Sequence, residues 1–206
     1  MTPYHALDAF LAQIRTDIYP EPPGEPHITI TQKIIAKLVT SGMLAPDHRV
    51  LDVGCGNGMA MEEFARHGIQ AIGVTLGPEC RSCQEKGLDV REMDFSFLDF
   101  DDQSFHLIWC RHTLEHSFSP MFTLSGFYKK LQPGGRLYVE VPAPDTSCHH
   151  EDNPNHYSVL GKSMWLSLFK KTRFALEWTG DFPFETHSGP DVYWSFLLKR
   201  VDIVPV

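Results

Sequence analysis

Two groups of residues have the types and spacing to do chemistry. The first is Asp52 followed by Gly54, Cys55, Gly56, Asn57 and Gly58, in the run VLDVGCGNG. Alternating glycines let a backbone turn sharply and let a ligand lie directly against it. A carboxylate two residues before such a turn repels a phosphate and attracts an ammonium group. The second group is a set of histidines: His112 and His116 in RHTLEH, then His150 and His156 in a polar loop further on. Imidazole titrates near neutrality, so each of the four is a candidate base for an acceptor hydroxyl or amine. For His112 and His116, each taken alone, a hydrogen-bonded structural histidine is at least as good a reading.

The elements that must position these residues follow from the apolar pattern. Val50, Leu51 and Val53 read as a short buried strand, and Met59 to Ala65 as a helix, with the glycine turn between them. Strand, glycine-rich loop and helix in that order open a nucleotide-binding α/β half. Further strands are expected at Ile69 to Leu76, Leu88 to Met93, Ser104 to Cys110, Arg136 to Val141, Phe174 to Trp178 and Val192 to Arg200. Helices are expected over 4–18, Ile28 to Leu44, Pro120 to Leu131 and Lys162 to Lys171, with the proline-rich YPEPPGEP breaking the first from the second. A dinucleotide fingerprint, G-x-G-x-x-G, needs a third glycine where Met59 stands. An NAD-dependent oxidoreductase is therefore the less favoured reading.

VLDVGCGNG resembles the first motif of class I S-adenosylmethionine-dependent methyltransferases, of the small-molecule type 11/23-like kind. RHTLEH resembles their x-H-V-L-E-H segment, and Leu131 to Gly135 resembles the L-x-P-G-G turn before their fifth strand. The resemblance covers about residues 45–200. It implies an α/β, Rossmann-like fold: a seven-stranded, mostly parallel sheet with helices on both faces and an antiparallel last strand. It also implies one domain over 1–206, with 1–46 as an N-terminal helical cover and 47–200 as the cofactor-binding core.

In that family the loop from Asp52 to Gly58 would hold the amino-acid end of S-adenosylmethionine. Thr75 and Leu76 would lie at the ribose, and Asp94 would accept a hydrogen bond from the adenine amino group with Phe95 beside the ring. Arg111 or His112 would reach the cofactor carboxylate or the acceptor. Thr75 departs from the acidic residue usual at that point, and its V-T-L run is similar to that of cyclopropane fatty acid synthases. Glu79 is a nearby substitute. The implied reaction is methyl transfer to a small-molecule acceptor, with S-adenosylhomocysteine as product. Because of Thr75, a cofactor-binding module without turnover stands as the alternative from another class. Carbon methylation of a lipid is a weaker option.

Composition narrows the rest. The chain has 206 residues, 42% of them hydrophobic, enough for one domain with a full core. Its net charge of -8 makes phosphate-mediated binding of nucleic acid a poor expectation. No membrane span and no signal peptide are visible in the sequence. The five cysteines are odd in number and fit reduced thiols in a cytoplasmic protein. Cys80 and Cys83 form a C-x-x-C that lacks the second pair a zinc site needs. The loop over 142–157 carries Asp145, His149, His150, Glu151, Asp152 and His156, types that can ligate a divalent metal. Such clusters are more often solvated loop, so no metal is expected.

Overall fold

The computed structural model describes residues 4–14 and 24–202. Its centre is one seven-stranded sheet in the order β3-β2-β1-β4-β5-β7-β6. The strands are β1 Val50–Val53, β2 Ala71–Thr75, β3 Val90–Glu92, β4 Phe105–Arg111, β5 Leu131–Pro142, β6 Phe174–Thr186 and β7 Gly189–Arg200. β1 to β5 run parallel, and β7 is antiparallel to both of its neighbours. The helices are α1 His5–Ile14, α2 His27–Thr40, α3 Met59–Arg66, α4 Pro78–Glu85, α5 Pro120–Lys130 and α6 Lys162–Lys171.

Strand alternation divides the core in two. Leu51, Val53, Ile108, Cys110, Leu137, Val139 and Phe196 point to the face covered by α5 and α6, where Leu124, Phe127, Trp165 and Phe169 meet them. Val50, Leu107, Trp109, Tyr138 and Leu197 point to the other face, against Ile34, Ile35 and Leu38 of α2 and Phe64 of α3. Because side chains alternate, Asp52, Arg111 and Glu140 share this second face, at the carboxyl ends of β1, β4 and β5. Ligands of open α/β sheets bind beyond those ends.

Several boundaries differ from the sequence reading. β3 is three residues long. The helix expected over 4–18 is described as far as Ile14, and residues 15–23, including most of the proline-rich stretch, lie outside the described residues. α2 stops at Thr40, not Leu44, because the chain turns through Gly42 at φ +71. β5 starts at Leu131, the first residue of the L-x-P-G-G turn: Leu131 pairs with Phe105, then the register shifts so that Arg136 pairs with Leu107. The glycine turn is thus a bulge within the strand.

The largest difference is the last hairpin. β6 and β7 stay paired as far as Thr186 and Gly189, well past the expected ends at Trp178 and Val192. Gly180, Pro183 and Pro190 read as breakers in sequence. β6 is an edge strand, where a proline need not donate to a ladder. The hairpin tip reaches past the sheet and braces the loop after β5: Ala143 N–H donates to Val192 O at 3.0 Å and Ser147 N–H to Pro190 O at 3.3 Å.

All five cysteines are free thiols. Cys80 and Cys83 of α4 are buried with Cys55, Met61 and Val90, so the C-x-x-C packs one helix against the sheet. No helix among the described residues is long and apolar enough to cross a membrane.

Candidate active site

A cavity of about 480 Å³ opens at the carboxyl ends of β1, β2 and β4. That volume lies in the range of small-molecule sites. Of the residues singled out in the sequence, Asp52, Gly54, Cys55, Gly56, Asn57, Thr75, Leu76, Asp94, Phe95, Arg111, His112 and His116 all line it. Gly58 does not. It turns the chain into α3 at φ +82, where a Cβ would lie 2.3 Å from Leu88 Cδ1. His150 and His156 line a smaller neighbouring cavity of about 40 Å³ instead.

The glycine turn is set by crowding as well as by backbone angle. Gly54 has φ +69, and a Cβ there would lie 2.2 Å from Thr113 Oγ1. Thr113 Oγ1 in turn donates to Val53 O at 3.1 Å or Arg111 O at 2.9 Å, tying the ends of β1 and β4 together. The turn can therefore lie flat against the cavity only with glycine at 54.

Asp52 is 3% exposed, and its Oδ2 is buried without a hydrogen-bond partner. Burial pushes its carboxyl up to about 7, and the Arg111 guanidinium pulls only partly against that. Buried polar atoms almost always have partners, so an orphan carboxylate oxygen at a cavity wall marks a place for a cationic ligand group. At the end of β2, Thr75 is buried, and Glu79 at the start of α4 lines the same part of the cavity. The Glu79 carboxylate reaches back toward the glycine turn, within 3.7 Å of where a Gly56 Cβ would stand. An acidic group therefore lines the cavity four residues after Thr75. Asp94 Oδ1 accepts the Ser96 N–H at 2.9 Å, which orients its side chain, with Met93 and Phe95 on either side along the wall.

Arg111 does not project alone into the cavity. Its Nε and Nη2 donate to Glu140 Oε1 at 2.8 and 2.6 Å, and its Nη1 donates to Thr31 Oγ1 at 2.5 Å and His27 O at 3.2 Å. His112 Nε2 donates to the same Glu140 Oε1 at 3.0 Å, and Tyr138 O–H donates to Oε2 at 2.7 Å. Burial opposes ionisation of Glu140, but Arg111 and His112 hold its carboxyl down at about 2. Burial pushes the His112 imidazole below its ordinary value.

Glu140, Thr31 and His27 are absent from the sequence reading. A charged residue inside the apolar strand RLYVEV was the available signal for Glu140. Nothing local marked Thr31 or His27, because their partner lies some eighty residues away on β4.

A family model described as a methyltransferase domain matches residues 21–195. The chain belongs to the class I S-adenosylmethionine-dependent methyltransferase family.

Among relatives of this methyltransferase domain is a 24-methylenesterol C-methyltransferase 2 from Oryza sativa subsp. japonica. It is 31% identical over 151 residues, which are 68% of this chain and 41% of the relative. A ubiquinone biosynthesis O-methyltransferase from Xanthomonas oryzae pv. oryzae is 33% identical over 101 residues, covering 45% of this chain and 42% of the relative. The chain spans about two-fifths of the length of these curated relatives. A putative sarcosine dimethylglycine methyltransferase from Galdieria sulphuraria has the same fold. Its TM-score is 0.73 at 15% identity, over 95% of this chain and 98% of that one.

Proposed function

We propose that this methyltransferase domain moves a methyl group from S-adenosylmethionine to a small-molecule acceptor, leaving S-adenosylhomocysteine. The observation that carries the reading is the buried Asp52 carboxylate, with an orphan oxygen, beside a glycine turn at the cavity wall. An ammonium group supplies the missing partner, whereas a dinucleotide pyrophosphate there would meet like charge. The cofactor supplies a methyl group activated by its sulfonium. The chain's own residues bind, orient and exclude water.

In this reading Asp52 and the turn from Gly54 to Gly58 hold the amino-acid end. Thr75 and Glu79 take the ribose hydroxyls, and Asp94 receives the adenine amino group between Met93 and Phe95. The acceptor enters at the wall formed by Phe118, Asn155 and Tyr157. His112 has one nitrogen on Glu140 and the other 3.7 Å from Glu115, so it suits the Arg111 network better than proton uptake. His116 donates through Nδ1 to Asn155 O at 2.9 Å, which fixes its ring at the edge of the acceptor space. His150 and His156 lie behind that wall. The names of the two curated relatives support methyl transfer, one to carbon and one to oxygen.

Calorimetric titration with S-adenosylhomocysteine, with NADH as control ligand, tests the cofactor. Micromolar binding of the first alone, lost in Asp52→Ala, supports the reading. Binding of NADH instead overturns it. Thr75, a hydroxyl where a carboxylate is usual, favours one second reading: a module that binds the cofactor without turnover. Release of S-adenosylhomocysteine from S-adenosylmethionine with a pool of phenolic, amine and enolate acceptors tells the two apart.

A further inference from the structure

Next to the large cavity, Glu115, His116 and His156 each bring one ligand-capable atom within 4.8 Å of the others. Glu115 and His116 come from the short 3-10 turn at Leu114–His116 after β4, and His156 from the loop after β5. Both segments lie at the carboxyl ends of central strands, where ligands of such sheets bind.

The histidine tautomers are set by backbone. His116 Nδ1–H donates to Asn155 O at 2.9 Å, and His156 Nδ1–H donates to His150 O at 2.9 Å. A carbonyl can only accept, so each neutral ring carries its lone pair on Nε2. Anchoring of one ring nitrogen by a carbonyl is the usual arrangement around a metal-bound imidazole, because it fixes ring orientation. The third group, Glu115, is 1% exposed, so its carboxylate has little water around it and gains from a nearby cation. The three residues share the 40 Å³ cavity, room for an ion and a water. His116 also lines the 480 Å³ cavity, so an ion held there borders the acceptor space.

The geometry points to a divalent transition-metal site formed by Glu115, His116 and His156 at the acceptor end of the cavity. Two imidazoles and one carboxylate select an ion of the Zn²⁺ or Fe²⁺ class over Mg²⁺ or Ca²⁺, which prefer oxygen. Three protein ligands leave at least one coordination position for water or a ligand oxygen. The role of that position rests on the methyl-transfer reading. An acceptor hydroxyl bound there becomes more acidic and releases its proton to solvent, so the acceptor class is a phenol or hydroxy acid. The metal site itself does not depend on that reading. The sequence pointed to histidines and carboxylates of the 142–157 loop and to no metal. The structure pairs one of those histidines with two residues about forty positions upstream.

The test uses chelator-treated protein titrated with Co²⁺, followed by visible absorption, and with Zn²⁺, followed by calorimetry. One equivalent should bind with micromolar or tighter affinity, and His156→Ala and His116→Gln should each weaken it at least hundredfold. Asp191→Asn, in the separate Cys148, His150 and Asp191 cluster, should leave it unchanged. Titration of each variant with S-adenosylhomocysteine runs alongside. His156 lies outside the large cavity, so His156→Ala should keep that binding, which shows that it is folded. Absence of metal binding by the parent protein overturns the site, as does binding lost in Asp191→Asn and kept in His156→Ala. Failure of S-adenosylhomocysteine to bind, with metal still bound, would overturn the methyl-transfer reading and leave the site standing.

Discussion

Asp52 and Glu140 are two buried carboxylates on one face of one sheet, at the ends of strands on either side of β4. Arg111, at the end of β4, pairs with one and only partly offsets the burial of the other. Glu140 receives hydrogen bonds from Arg111, His112 and Tyr138, and its carboxyl is held at about 2. Asp52 has an oxygen with no partner, and burial raises its carboxyl to about 7. The difference separates a carboxylate whose partners the fold supplies from one with an oxygen the fold leaves without a hydrogen-bond partner. A satisfied buried carboxylate stiffens its surroundings, whereas an unsatisfied one costs stability.

The largest expected effect is on the completed side. Glu140→Gln strands the Arg111 guanidinium in the interior, and chemical denaturation should show a loss of about 3–5 kcal/mol. A loss below about 1 kcal/mol would erase the distinction between the two carboxylates. The pH dependence has a defined sign. Glu140 ionises more readily folded than unfolded, so its contribution is present above about 4.5 and erodes as pH falls through about 2.

On the unsatisfied side, Asp52→Ala should weaken S-adenosylhomocysteine at least about hundredfold in calorimetry, the scale of a lost buried charge pair. Stability should move the other way. The Asp52 carboxyl is raised in the fold, so it carries a penalty that is absent below about 3.8 and complete above about 7. Asp52→Asn should therefore raise stability at pH 8 by about 1–3 kcal/mol, measured by urea unfolding. A destabilised Asp52→Asn would mean that Asp52 is completed within the protein after all.

The same shift makes cofactor affinity depend on pH. An ammonium binds the ionised carboxylate, so S-adenosylhomocysteine affinity should be level just above pH 7 and fall by about tenfold per unit below it. A flat profile between pH 5.5 and 7.5 would detach Asp52 from the ligand. The smallest effect tests the support beneath the ion pair. Thr31→Val removes the hydroxyl 2.5 Å from Arg111 Nη1 and should cost about 1–2 kcal/mol while cofactor affinity stays within threefold.

Much of the fold was legible in the sequence because its signals are local. The apolar run before Asp52, the glycine turn and the helix after it depend on neighbours within ten residues, and they form where the pattern puts them. The strand ends were less legible. Pro183 and Gly180 break a strand in general, but not one whose outer edge has no ladder to keep. The site divides along the same line. Asp52, Thr75, Asp94 and the glycine turn follow the ends of successive strands, so position in sequence predicts position at the cavity.

What only the tertiary structure decided is which groups complete one another. Arg111 meets Glu140 because β4 and β5 are adjacent in register, and it meets Thr31 because α2 packs over that face. The Glu79 carboxylate comes close to Gly56 because α4 turns its first residues back toward the glycine turn. His156 joins Glu115 and His116 because two loops leave the same end of the sheet. Sequence spacing encodes contacts made through a helix turn or a strand pleat. It carries no record of contacts made across a sheet, and in this protein those contacts determine which buried charges find partners within the fold.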